Sequence, residues 1–198
     1  MNKIVLASNN KKKVAELTSL LGPLGIEIIT QGELGISEAE EPFFTFVENA
    51  LAKARHAARE SGLPALADDS GLCVDVLGGA PGVLSARFAG EPKSDERNNE
   101  ALLKELAHLS RPEQRSAHFV CVLVLVRHAD DPQPIICEGE WQGQILQEAQ
   151  GEGGFGYDPL FWDATAEASA AEMPAEIKNA RSHRGKAIAQ LAERMRQL

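Results

Sequence analysis

The chain has 198 residues, 43% of them apolar, and a formal charge of −9; chains of ~100–200 residues commonly fill one core, so a single domain over residues 1–198 is expected. No apolar run approaches the ~18 residues of a membrane span. The negative balance argues against a nucleic-acid surface, which shows as a basic stripe, but leaves room for a nucleotide bound through a local cationic pocket.

Ile4-Val5-Leu6-Ala7 is too short for a signal-peptide core and meets Asn9-Asn10 and three lysines at once, so the expected location is cytoplasmic. Lys3 to Ala7 reads as a first strand. Asn9-Asn10 then turns into a helix over Lys11 to Leu21, with Val14, Leu17, Leu20 and Leu21 at helical spacing. Gly22-Pro23 and Gly25 stop it, and Ile26 to Thr30 reads as a second strand. A strand, helix, strand opening points to an α/β fold and makes its first turn the place to look for a ligand.

The acidic loop Glu38 to Pro42 precedes a long helix expected over Phe43 to Ser61, with Val47, Ala50, Leu51, Ala54 and Ala58 as its core stripe. Thr45, Asn49 and Lys53 fall at four-residue steps and share a separate, polar face. Next comes Leu66-Ala67-Asp68-Asp69-Ser70-Gly71-Leu72-Cys73-Val74-Asp75, where two carboxylates follow an apolar run and Gly71 is expected to turn the backbone. An unpaired buried charge is costly. Either this is an acidic turn with Asp68 or Asp69 as a cap, or the pair holds a metal or moves a proton.

Gly78 to Gly82 is a tight loop expected to exclude bulky side chains. A helix over Ser94 to Leu109 carries Ala101, Leu102, Leu106 and Leu109, with Ser94 as cap and Arg97 where a capping box has Glu. Ala117 to Val126 fits a strand buried on both faces. Pro134 to Cys137 and Trp141 to Leu146 read as two antiparallel return strands. His118 and His128 lack partners at metal-ligand spacing and read as structural. Cys73, Cys121 and Cys137 are odd in number without C-x-x-C spacing, so reduced buried thiols are expected.

Gly151 to Pro159 is a glycine-dense loop around Phe155, Tyr157 and Asp158. Its glycines either permit positive φ in a bend or allow close approach to a flat ligand. Leu160 to Trp162 reads as a short strand, and Asp163 to Ala175 as a loop plus a short helix. Ser182, a plausible N-cap, opens the last helix, whose stripe is Ala187, Ile188, Leu191, Ala192 and Met195. His183 and Arg184 occupy its first turn, where a cation opposes the helix dipole and hints at a bound anion or acceptor.

Lysines and helix N-termini bind phosphate, carboxylates bind magnesium, an aromatic ring stacks a base, and His with Arg donates to ring acceptors. A nucleoside triphosphate with magnesium uses every cluster in this chain.

The residues that make these clusters are Ala7-Ser8-Asn9-Asn10 with Lys13, Thr45-Phe46 with Glu48-Asn49-Ala50 and Lys53-Ala54, Ala67 to Leu72, Gly78 to Gly82 with Ser85-Ala86-Arg87, Gly153 to Pro159, and Lys178 with Ser182-His183-Arg184. In that order they resemble the inosine triphosphate pyrophosphatase family, which hydrolyses non-standard purine nucleoside triphosphates such as ITP and XTP, and their deoxy forms, to monophosphate and pyrophosphate. The resemblance implies an α/β, two-lobed fold around a long curved mixed β-sheet flanked by helices. It also implies an active site in the cleft between lobes, a homodimer, and no nucleic-acid or membrane partner.

Carried over by residue, Ser8, Asn9, Asn10, Lys11, Lys12 and Lys13 would hold the phosphates, with Asn10 and Lys13 as direct contacts. Asp69 would be general base and ligand to a magnesium ion (Mg2+), with Glu40 or Glu41 as a second metal carboxylate and Asp68 supporting. Ser70 and Lys53 would contact the substrate, and Phe155 would stack on the base with Gly156, Tyr157 and Asp158 closing its pocket. Lys178, His183 and Arg184 would read the purine. The chain departs from the family pattern at Asn9 and Lys12, where relatives often carry Gly or His and Gly; Asn tolerates the left-handed conformation, so Asn9 is expected to serve the same turn. Two other readings share parts of the pattern: a nucleotide sensor without turnover, and a pyrophosphatase for other modified nucleotides.

Overall fold

In the computed structural model, which describes residues 3–196 apart from the side chains of Leu20 and Leu24, the opening unit is β1 (Lys3–Leu6), α1 (Lys11–Leu21) and β2 (Glu27–Thr30). β1 and β2 are parallel, Ile4 facing Ile28 and Val5 facing Ile29. Asn10 starts α1, because its side-chain oxygen accepts from the N–H groups of Lys12 and Lys13 and satisfies donors the helix cannot. Leu17 and Leu21 are buried as expected; Leu20 lies outside the described side chains.

The second helix, α2 (Phe46–Ser61), begins three residues later than the apolar pattern suggested. Thr45 is its cap, accepting from the Glu48 N–H while its hydroxyl donates to the Glu48 carboxylate. Asn49 is not on a polar face: it is buried, and its carboxamide pairs with both backbone groups of Phe43. β3 (Ala65–Val74) runs unbroken through Asp68 to Gly71, so Gly71 makes no turn and the acidic-turn alternative falls. β3 pairs in parallel with β1, Val5 facing Ala65.

Gly78, Gly79 and Gly82 have positive φ, but a Cβ at each would meet open space. Conformation, not crowding, selects glycine in that loop. α3 (Asp95–Glu105) is capped by Ser94 and stops four residues before Leu109. The buried Arg115 guanidinium accounts for the stop by donating to the carbonyls of Leu106, Leu109, Ile145 and Leu146.

β4 (Ser116–Val126) is buried on both faces from Phe119 onward. Its neighbour β5 (Ile135–Ile145) is one strand where two were expected. Cys137, Gly139 and Trp141 alternate inward with Glu138, Glu140 and Gln142 outward, so the polar stretch that seemed to separate two strands is the exposed face of one. β6 (Phe161–Asp163), a two-residue β7 (Ala168–Ser169) not foreseen from sequence, α4 (Ala175–Arg181) and α5 (His183–Met195) complete the chain.

The fold is α/β with a mixed sheet in the order β2-β1-β3-β4-β5-β6-β7, parallel at β2-β1-β3 and antiparallel at β5-β6-β7. The chain divides into two compact units. One comprises the residues up to Asp69, Cys121–Gly139 and Arg184 onward; the other comprises Ser70–Val120 and Glu140–His183. The first is built on Leu6, Leu17, Leu66, Leu123 and Leu191, the second on Leu72, Leu102, Phe119, Trp141, Phe161 and Leu160. All three cysteines are free thiols, and burial pushes that of Cys121 up to about 12. Among the described residues no helix is long and apolar enough to cross a membrane.

Candidate active site

Adjacent residues of a strand point to opposite faces, and Asp68 and Asp69 pair with different cations. Asp68 is fully buried, with Lys13 Nζ 3.0 Å and Arg184 Nη2 3.6 Å from its Oδ2. Burial alone would raise its pKa, but Lys13, then Arg184 and Lys53, outweigh that and hold it well below the usual carboxylate range. Asp69 meets Lys53 instead, at 3.2 Å from Oδ1. Its carboxyl is pushed up to about 6, chiefly by burial, with Lys53 and Lys13 opposing and Glu41 and Asp68 adding to the rise.

Lys53 gathers two carboxylates on one ammonium, since its Nζ also donates to Glu41 Oε2 at 2.8 Å. Burial would lower its own pKa, but Asp69, Asp68 and Glu41 raise it. Glu40 is exposed, so Glu41 is the carboxylate that the acidic loop brings to Lys53 beside Asp69. Asp69 Oδ2 is buried and has no hydrogen-bond partner among the described residues. A buried acceptor left open beside a second carboxylate suits a hard cation. No group of three His, Cys, Asp or Glu stands ready among the described residues, but magnesium commonly uses one or two carboxylates with retained waters and substrate phosphates. The donor set therefore fits that ion.

In the phosphate segment, the Ser8 hydroxyl accepts from the Asn10 N–H. Asn9 does not adopt the left-handed conformation: Glu167 is the described non-glycine residue with positive φ. Asn9 instead donates to Glu38 Oε1 at 3.1 Å and lies against Gly32, whose Cβ would stand 3.0 Å from the Asn9 oxygen. Lys11 and Lys12 are exposed. Ser8, Asn9 and Lys11 border an open surface cavity of about 680 Å³, whereas Lys13 is bonded to Asp68.

Arg184 was expected at a purine, yet its guanidinium pairs with Glu16 of α1 and faces Asp68. Those two carboxylates are the anions that make a cation tolerable in the first turn of α5. Glu16 was missed from sequence; its one signal is the i, i+3 spacing from Lys13.

In the second unit the aromatic loop is tied together by Asp158. Its Oδ2 accepts from the Phe155 N–H at 2.8 Å and from Lys178 Nζ at 2.7 Å. Lys178 Nζ also lies 5.2 Å from the centre of the Phe155 ring, in cation–π range. Gly154, at φ 72°, is required for space as well as conformation, because a Cβ there would come within 2.0 Å of Asp158 Oδ2. Tyr157 is buried with its hydroxyl donated to the Ser85 carbonyl at 2.7 Å, so it braces the loop from beneath, and burial raises its pKa. His183 is buried and stacks on Phe119 at 4.8 Å and 13°. Ser70 is half-buried beside Asp69 in the chain, and Ser182 is buried. Ser85, known from sequence only as part of the Ser85-Ala86-Arg87 cluster, fixes Tyr157, and Phe119, which stacks on His183, carried no chemical signal in the sequence.

Comparison with known proteins covers almost the whole chain. The Ham1 family profile matches residues 4–194. A dITP/XTP pyrophosphatase of Ralstonia nicotianae is 61% identical over 99% of this chain and 98% of its own length. One of the same name from Nitrosomonas europaea is 59% identical over 98% and 94%. The solved structure of a HAM1 protein from Coxiella burnetii superposes with a TM-score of 0.93 at 46% identity, over 100% of both chains. With likeness of this degree running from β1 to α5, the chain belongs to the Ham1 family and, like those relatives, is a hydrolase.

Proposed function

We propose that the chain hydrolyses non-standard purine nucleoside triphosphates (ITP and XTP and their deoxy forms) to the monophosphate and pyrophosphate. The observation that carries the reading is Asp69: a buried carboxylate pushed to about 6, one oxygen held by Lys53 and the other open. A carboxylate tuned towards neutrality by burial is what a general base requires.

In the proposed mechanism Asp69 takes a proton from a water molecule, the water oxygen attacks the α-phosphorus, and the bond to the bridging oxygen breaks to release pyrophosphate. Charge on the departing oxygens is met by Lys13, with Lys53 keeping Asp69 and Glu41 in register. Glu41 and Asp69 would hold magnesium, which when bound supplies positive charge to the phosphates and lowers the pKa of water. Ser8, Asn9, Asn10, Lys11 and Lys12 complete the phosphate contacts, and Ser70 lies next to the base. Arg184 serves this end too, by holding Asp68 ionised. A homodimer, implied by the family resemblance, is part of the proposal.

The purine end is assigned to Phe155 as stacking surface, with Asp158 and Lys178 shaping its loop and His183 and Lys178 donating to the 6-oxo group. Adenine presents a 6-amino donor there, and a site built around donors rejects such a mismatch strongly. Replacing Gly154 by Ala would drive a Cβ into Asp158 and disturb its bonds to Phe155 and Lys178. The KM for ITP is expected to rise about tenfold, equivalent to ~1.4 kcal/mol, and the melting temperature to fall, since Ala at φ 72° is strained and the Lys178–Asp158 pair is displaced; an unchanged KM in the folded variant would remove the loop from base binding. The activity itself is tested by pyrophosphate release from ITP with magnesium, from ITP without it, and from ATP. The first should be fast and the other two slow. Equal rates on ITP and ATP would contradict the proposed selectivity.

A further inference from the structure

We infer that Asp95 and Asn99 of α3 are positioning residues for purine binding, acting through the backbone of Gly156; the inference rests on the reading of the Phe155 loop as the base site. Gly156 has φ 62°, and both of its backbone groups are taken by α3. Its N–H donates to Asp95 Oδ2 at 2.8 Å, and its carbonyl accepts from Asn99 Nδ2 at 2.9 Å. Asp95 and Asn99 are four residues apart and so share one helix face. They grip the peptide groups on either side of one residue, immediately after Phe155.

The orientation of the Asn99 carboxamide is fixed by chemistry. Its Nδ2 donates to two carbonyls, those of Gly156 and Asp95, both at 2.9 Å. A flipped amide would set an oxygen against both. α3 is itself a rigid frame: Asn98, buried between the two, accepts from the Ala89 N–H and donates to the Ala86 carbonyl. That same segment offers the Ser85 carbonyl to Tyr157. The loop is thus held at Gly156 and Tyr157 by neighbouring pieces of one scaffold. Asp95 in isolation reads as an ordinary acidic first-turn residue, which is why no motif drew attention to it.

Loss of either contact frees the loop to rotate about Gly156 and tilts the ring that stacks on the base. Base-dependent binding should suffer, while recognition of the phosphates should not. Four variants separate this from a general structural role. Asp95→Ala and Asn99→Ala each remove one hydrogen bond and should raise the KM for ITP about fivefold to tenfold, with kcat within about twofold. Asn99→Asp should be worse than Asn99→Ala, because a carboxylate then opposes the Gly156 carbonyl. Asp95→Asn keeps an oxygen acceptor and should stay near wild type in KM, although it loses the favourable helix-dipole charge.

Inorganic tripolyphosphate, a probe with no base, should inhibit ITP hydrolysis equally well in wild type and in all four variants. Melting curves on the same samples confirm that each variant is folded. Unchanged KM values in Asp95→Ala and Asn99→Ala would overturn the inference, as would a loss in Asp95→Asn matching that in Asp95→Ala, or a parallel loss of tripolyphosphate inhibition. Phe155→Ala serves as the control for the underlying reading. If it raises the KM while the α3 variants do not, the inference alone fails; if it leaves the KM unchanged, the base-site reading and the inference fall together.

Discussion

Replacing Asp69 by Asn is expected to lower turnover on ITP at least ~100-fold, the lower end of what a general base contributes. The amide is close in shape but cannot take the proton from water. The same substitution should make the metal-free protein more stable at pH 8. The carboxyl of Asp69 is raised to about 6 in the folded chain by burial, so its stability contribution is full below its unfolded value and is lost as pH rises through the folded one. At pH 8 it is therefore a charge the fold holds at a cost, up to about 3 kcal/mol for a rise of some two units. Lys53 loses one carboxylate partner in the variant, which reduces the gain. Urea titrations without metal at pH 8 and pH 4 should show the advantage of Asp69→Asn at the higher pH and its disappearance at the lower. Turnover within a few fold of wild type would take Asp69 out of the base's role, whatever the stability curves show.

Asp68→Ala should act in the opposite sense, with a cost of about 3–5 kcal/mol, the usual result of removing one partner from a buried ion pair. Asp68 is the carboxylate shared by Lys13 and Arg184, and neither cation is exposed enough to recover full hydration. Arg184 keeps Glu16, but Lys13 loses the contact that aligns the first turn of α1. Because the pKa of Asp68 is held low, the stability it contributes is present above its unfolded value and lost as pH falls below it. Wild type should therefore weaken below about pH 4 through this residue, and Asp68→Ala should lack that component of the acid limb. Urea unfolding of the variant at pH 7 with a loss under about 1 kcal/mol would show that the ion cluster is not structurally coupled.

These two aspartates show what the sequence could and could not disclose. Strand and helix periodicity carried α1, β4 and the apolar stripe of α5, because their burial depends on residues close together in the chain. The family resemblance gave Asp69 the larger expected role, with Asp68 supporting. The physical division between them was not legible, because it comes from opposite faces of one strand that runs unbroken through Gly71 between β1 and β4 of the sheet. Arg184 meets Glu16 across 168 positions, and no local pattern announces such a contact. Asn49 looked like part of a polar face because its partner is the Phe43 backbone, which any residue type could supply. Glu138 and Glu140 split β5 in two on paper because alternation with only one buried face resembles a break. The loop glycines divided likewise: Gly154 is needed for space as well as conformation and Gly78 for conformation alone, and composition does not separate the two.

In the proposed reaction an Asp69-activated water attacks the α-phosphorus. Hydrolysis of ITP in ¹⁸O-enriched water with magnesium, followed by mass spectrometry of both products, tests it directly. One ¹⁸O atom is expected in the inosine monophosphate and none in the pyrophosphate. Label in the pyrophosphate, or release of labelled inorganic phosphate with a diphosphate left behind, would contradict it.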